Sequence, residues 1–270
     1  MIRLALAQVI SSADKAANLA MVEDQIARAA EAGAELVIFP EATMCAFGNR
    51  LDTVAEPLDG PWVSRLTELA VEHDVTAVAG VFTPAGEYGP DGRQKVINTL
   101  VATGAGGLVG YQKIHLFDAF GFAESDTVVA GREPVIITVN GVRVGLTVCY
   151  DVRFPGLYTT LADRGAELII VSASWGAGPT KIEQWELLTQ ARALDSTCFV
   201  VAVGQADPAT RGIKPRGSAP TGIGYSAVID PTGSAIAGAT AEPELLITEI
   251  DPARVAEVRK SIPVLANRKF

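Results

Sequence analysis

A carboxylate, an ammonium and a thiol stand at or near the ends of three apolar runs in this chain. Glu41 follows LVIFP, Lys113 lies within GLVGYQKIHL, and Cys149 closes VRVGLTV. Open α/β sheets gather ligands at the carboxyl ends of their strands, so these three side chains can share one crevice. Their obvious joint use is nucleophilic acyl transfer, in which the thiol attacks, the carboxylate carries protons and the ammonium stabilises the developing oxyanion. An unperturbed thiol of pKa about 8.5 is only slightly ionised at neutral pH, so a neighbouring base raises the reactive fraction. Glu41 would take the thiol proton and pass it to the leaving ammonia, while Lys113 and the backbone N–H of Tyr150 would hold the oxyanion. Each residue also has a plainer use. A thiol at a strand end packs as a small hydrophobe, a glutamate after a proline can open a helix, and a lysine can guard a sheet edge.

The elements that must position them follow from hydrophobic patterning. IRLALAQV (2–9), a helical stretch from about Asp14 to Ala32, AELVIFP (34–40), a helix from about Trp62 to His73 and VTAVAGVF (75–82) alternate as βαβ units. GEYGPDG (86–92) marks a turn, and VINTLVAT (96–103) and GLVGYQKIHL (107–116) read as two strands joined through Gly104–Gly107. The second half runs GVRVGLTVCYD (141–151), a helix around Gly156–Arg164, AELIIVSAS (166–174) and CFVVAVG (198–204). GAELVIFPEA (33–42) and GAELIIVSAS (165–174) open alike, which suggests an internal duplication of two βαβα halves that face each other. Residues 206–222 read as a loop, 224–239 as a hairpin turned by Pro231-Thr232-Gly233, and 244–251 as a last strand before a short helix and tail. Nothing rich in Ser, Gly or Pro divides the halves, so one domain over residues 1–270 is expected.

Composition bounds the function. The 270 residues are 49% hydrophobic and 20% charged, enough to bury a full core. With 22 Lys plus Arg against 31 Asp plus Glu, the net charge of −9 disfavours nucleic acid and anionic membranes as partners. Cys45, Cys149 and Cys198 have unrelated spacings and form no CxxC, which argues for a reducing compartment and against a disulfide framework or a metal site. No apolar run reaches the length of a membrane span and the first residues are short for a signal peptide, so the reading is a cytoplasmic protein without a cofactor.

The wording around the three residues carries more than their types. VIFPEAT (37–43), YQKIHLFD (111–118) and LTVCYDVRFP (146–155), in this order, closely resemble the signature blocks of the nitrilase, or carbon–nitrogen hydrolase, superfamily. Asn98 in VINT, GAELIIVSASW, EQWELLTQARAL and GYSAVIDPTG extend the likeness along the chain. The resemblance implies a four-layer αββα sandwich with Glu41 as general base, Lys113 as oxyanion lysine and Cys149 as nucleophile. Glu124, in GFAESD, matches a second glutamate that orients the substrate amide and positions the lysine. Pairing through the helices next to the nucleophile implies a homodimer or larger assembly.

IHLFD and CYDVRFP look most like the Nit branch, whose members hydrolyse amides of dicarboxylic or α-keto acids, deaminated glutathione among them. Such a substrate needs a fixed cation, and the planar fork of Arg153 can hold a carboxylate bidentately. A structural salt bridge to Asp151 or Asp163 is its alternative. Thr180 can add a hydroxyl contact, and Trp175 can line the pocket or fill the core. Tyr150-Asp151 stands where nitrile-hydrolysing members have Trp-Glu, which favours amides. An N-carbamoyl hydrolase, an aliphatic amidase, a nitrilase and a catalytically silent scaffold are the alternatives. His115 opens a rival Cys/His mechanism, since in a strand it would point to the same side as Lys113.

Overall fold

The structure, a computed structural model, describes residues 1–119, 121–214 and 219–269. Its first half runs β1 (Ile2–Gln8), α1 (Lys15–Glu31), β2 (Leu36–Ile38), α2 (Pro61–Glu72), β3 (Thr76–Tyr88), β4 (Gln94–Gly104) and β5 (Gly107–Gln112). A short ribbon, β6 (Asp118–Ala119) and β7 (Phe122–Ala123), leads to β8 (Val135–Val139), β9 (Val142–Val148), α3 (Pro155–Asp163), β10 (Leu168–Ala173), α4 (Lys181–Ser196) and β11 (Phe199–Gly204). The chain ends with β12 (Ala227–Ile229), β13 (Ala235–Gly238), β14 (Glu244–Ile250), α5 (Ala253–Ser261) and α6 (Val264–Asn267).

These strands make two six-stranded sheets, ordered β14-β1-β2-β3-β4-β5 and β8-β9-β10-β11-β12-β13. Period-two alternation sorts each strand's side chains between two layers. Ile2, Leu4, Leu6, Leu36 and Ile38 join Val144, Leu146 and Ile170 in the core shared by the sheets, whereas Ala5, Ala7 and Val37 pack with Val22, Ile26, Trp62 and Leu66 of α1 and α2. With α3 and α4 against the second sheet, the molecule has the expected four αββα layers. The helices start where the sequence places caps. Asp14 accepts from Ala16 N and Ala17 N at α1, and prolines open α2 and α3.

The suspected duplication has a physical counterpart. Both sheets read antiparallel, parallel, parallel, antiparallel, antiparallel along their orders. In the first copy of GAEL, Gly33 (φ +75°) ends α1 and Glu35 accepts from Arg3 N at 2.9 Å, while the Arg3 guanidinium donates to Ala32 O. In the second, Gly165 (φ +93°) ends α3, Glu167 accepts from Arg143 N at 3.1 Å, and Arg143 donates to Arg164 O. The repeated letters therefore make the same helix-to-strand clasp twice.

Several boundaries differ from the sequence reading. β3 extends through Gly86 to Tyr88, so the turn tightens to residues 89–92, held by Gly89 N donating to Arg93 O. β8 was not anticipated, and its half-exposed VIITV pairs along the edge of β9. β5 stops at Gln112 instead of continuing to Leu116, because Lys113 turns its carbonyl to Gly131 N while its own N–H still meets Asn98 O. The loop expected at 206–222 and the segment 119–131 include residues 215–218 and Phe120, which lie outside the described residues.

One close approach matters for the site. A Cβ on Gly80 of β3 would lie 2.6 Å from Ala42 N and 2.7 Å from Glu41 Cα, so this strand can pass behind Glu41 only as glycine. Gly80→Ala should displace that backbone, cost about 1–3 kcal/mol on denaturant unfolding, and slow iodoacetamide alkylation of Cys149, read by intact mass, about tenfold.

Candidate active site

Glu41 lies three residues beyond β2, Cys149 directly after β9, Ser174 directly after β10, and Lys113 directly after β5. The carboxyl ends of parallel strands from both sheets thus meet in one crevice. Cys149 has φ +46°, a left-handed backbone rare for a side chain with a Cβ, and it opens the 3₁₀ turn 149–153. Glu124 arrives from the β6–β7 ribbon, on a 3₁₀ turn of its own.

Lys113 is the hub. Its Nζ donates to Glu41 Oε1 at 2.9 Å and to Glu124 Oε2 and Oε1 at 2.8 and 3.1 Å. All three side chains are almost completely buried. Asn98 Nδ2 donates to Glu41 Oε1 at 2.7 Å and to Glu124 Oε1 at 3.2 Å. Backbone amides complete the pair, with Ser174 N on Glu41 Oε2 at 2.8 Å and Phe117 N on Glu124 Oε2 at 2.7 Å. Such complete satisfaction is what buried carboxylates require.

Burial pushes the Glu41 carboxyl above its ordinary range, with Lys113 opposing and Glu124 adding to the rise. Burial alone would lower Lys113, but the two glutamates outweigh it and keep the ammonium charged. Burial and Glu41 push the Cys149 thiol well up, against Lys113, so the resting site holds a thiol rather than a thiolate. Cys149 sits 3.9 Å from Ser174 O, and the cleft above it, with about 420 Å³ of open space, is walled by Phe47, Phe117, Phe122 and Trp175. A thiol, a carboxylate whose pKa is raised by burial and a fixed ammonium can together perform acyl transfer.

Asp151 ties the nucleophile to the lysine segment. Its buried carboxylate accepts from Val148 N (2.9 Å) and Tyr111 Oη (2.7 Å) on one oxygen, and meets His115 N (3.0 Å) and Nδ1 (2.7 Å) with the other. The His115 ring stacks on Phe154 at 3.7 Å. This ring is committed to Asp151 and not to Cys149, because the chain leaves β5 before His115, so the Cys/His pairing does not form.

Of the other expected residues, Glu124, Tyr150, Arg153 and Trp175 line the cleft. Arg153 makes neither alternative salt bridge. Its Nη2 donates to Gln184 Oε1 at 2.7 Å, Asp151 is engaged as above, and Asp163 pairs with Arg268. Thr180 is misplaced, since it is exposed in a left-handed turn (φ +58°) at the start of α4 and its hydroxyl receives Gln184 Nε2. The next residue, Lys181, reaches the cleft instead. Asn98 was noted only for its wording, and Asp151, Ser174 and Lys181 carried no assignment to the site. A carboxylate at the end of an apolar strand was the available signal for Asp151. Cys45 and Cys198 are buried, as packing residues should be. Among the described residues, no group of His, Cys, Asp or Glu is arranged to hold a metal ion.

The chain is similar to known proteins along most of its length. The carbon–nitrogen hydrolase model matches residues 3–260. A protein of Mycobacterium tuberculosis described as a hydrolase is 55% identical over 272 residues, covering 98% of this chain and 95% of that one. The deaminated glutathione amidase of Escherichia coli is 38% identical, covering 94% and 92%. A solved Xanthomonas campestris protein of the same superfamily, with an arsenic adduct in its active site, superposes with a TM-score of 0.85 at 28% identity over 100% of this chain and 97% of that one.

The Asn98 contacts generate a pH test. Its amide favours ionised Glu41, so Asn98→Leu should raise the Glu41 pKa further. If Glu41 acts as a base, activity falls as pH drops through that pKa. The acid limb of kcat/KM should therefore lie above 4.5 in the parent and move to still higher pH in the variant.

Proposed function

We propose that this chain, which belongs to the carbon–nitrogen hydrolase family, hydrolyses a small primary amide that carries a carboxylate, through a thioester on Cys149 and with release of ammonia. It is an amidohydrolase acting on carbon–nitrogen bonds other than peptide bonds. The observation that carries the mechanism is the sharing of the Lys113 ammonium between buried Glu41 and Glu124 at the wall of the Cys149 cleft.

Glu41 takes the Cys149 proton as sulfur attacks the amide carbon, and the oxyanion forms against Lys113 and the Tyr150 N–H. The same proton then goes to nitrogen, the C–N bond breaks and ammonia leaves. Water, deprotonated by Glu41, attacks the thioester and frees the acid and the thiol. The raised pKa of Glu41 suits this alternation, because a carboxyl poised nearer neutrality both accepts and returns a proton. Glu124 holds Lys113 in place and orients the substrate amide. Arg153, over the rings of Trp175 and Tyr150, takes the substrate carboxylate.

The reading includes one catalytic domain over residues 1–270 working as a homodimer or larger assembly in the cytoplasm. Leu187 and Leu194 on α4 are 68% and 45% exposed, which supports an α4 interface. No described helix is long and apolar enough to cross a membrane.

Cys149→Ala should abolish ammonia release and leave unfolding unchanged within about 1 kcal/mol. Ammonia measured from deaminated glutathione, α-ketoglutaramate, an N-carbamoyl amino acid, a short neutral amide and a nitrile fixes the class. Preference for any of the last three would overturn the amide-acid assignment. Arg153→Ala should raise KM for the two keto-acid amides more than for the neutral amide, and equal losses would remove Arg153 from carboxylate binding.

A further inference from the structure

We propose that Lys181 joins Arg153 in a two-cation clamp that grips the carboxylate of an amide acid against the face of Trp175. The inference rests on the amide-acid reading above and assigns its recognition to a residue outside the signature strings.

Both cations line the Cys149 cleft. Arg153 Cζ lies 5.2 Å and Lys181 Nζ 5.6 Å from the centroid of the same indole, Trp175. The first turn of α4 anchors Trp175 and Arg153. Trp175 Nε1 donates to Lys181 O at 3.0 Å, and Gln184, three residues on from Lys181, receives Arg153 Nη2 at 2.7 Å. Trp175 and Arg153 are therefore held by hydrogen bonds that a ligand does not have to displace.

The electrostatics of this corner point to an anion. Lys181 opens α4, where the partial positive charge of the helix N-terminus opposes a cation. Partial burial and the nearby guanidinium also act against its charge, and they hold its pKa below the ordinary lysine value. Two positive sources, the helix N-terminus and Arg153, thus lie beside Lys181 at one side of a substrate cleft, and a bound carboxylate is attracted to all three. A neutral amide gains none of this. The aromatic walls, Phe117 and Trp175, keep the contact partly dehydrated, which strengthens it. The substrate class is then an acid with its amide at one end, at Cys149, and its carboxylate at the other.

The test compares ammonia release from succinamate and from butyramide, in the parent, Lys181→Gln and Lys181→Arg. The ratio of kcat/KM for succinamate to that for butyramide should fall about tenfold in Lys181→Gln, through KM, the scale of one hydrogen bond to a charged group. Lys181→Arg should restore most of it. Competitive inhibition by succinate, weakened about tenfold in Lys181→Gln, gives a second readout in the same enzyme. Equal losses on both amides, or no change on succinamate, would overturn the clamp and leave amide hydrolysis standing. A parent enzyme that turns over butyramide and never an amide acid would overturn the amide-acid reading and the clamp with it.

Discussion

The structure depends on one buried ammonium held between two buried carboxylates. Taking Lys113, Glu41 and Glu124 out of water is costly, and attraction between them offsets that cost only if the remaining donors and acceptors are met. The fold meets them with Asn98 from the middle of β4, Ser174 N from the end of β10 and Phe117 N from the ribbon approach. Each comes from a different part of the chain, so the charge cluster forms only when both sheets and the ribbon are in place. The same contacts aim Glu41 at the thiol. Structural satisfaction and catalytic positioning are therefore one set of bonds.

A third buried carboxylate does comparable work without touching the cleft. Asp151 joins the backbone before Cys149 to the segment after Lys113, and Tyr111 and His115 complete its shell. Nucleophile and oxyanion lysine are thus set relative to each other by a single side chain. The left-handed backbone of Cys149 is tolerable because this shell, and the β9 ladder before it, leave the turn few alternatives.

Much of this was legible in the sequence where local pattern and wording coincide. Apolar runs buried on both faces announced β1, β2, β9, β10 and β11, and the GAEL repeat pointed to two equivalent halves. Glu41, Lys113, Glu124 and Cys149 were nominated in advance and do meet. The failures sit at junctions, where one residue of phase decides a direction. Thr180 and Lys181 are neighbours at a loop-to-helix boundary, and a left-handed turn sends the first outward and the second toward the cleft. His115 was assigned to a strand that ends three residues earlier. β8 was missed because its VIITV is a short, half-exposed edge run, although Pro134 before it and Asn140-Gly141 after it, a two-residue hairpin turn with positive φ at both positions, were signals for it. The linking role of Asp151 is a long-range property, shared among four partners, that no local window displays.

The strand order carries a consequence for the order of assembly. β14 occupies in the first sheet the place that β8 occupies in the second, yet β8 immediately precedes its neighbour β9 while β14 comes at the far end of the chain. The second half is one contiguous β-β-α-β-α-β-β-β unit, whereas the matching unit of the first half takes its opening strand from beyond the second. On the ribosome the outer edge of β1 stays uncovered until Ile250 has emerged, long after Glu41, Lys113 and Cys149 have been made. Completion of the first sheet is deferred until every strand of the second has been made.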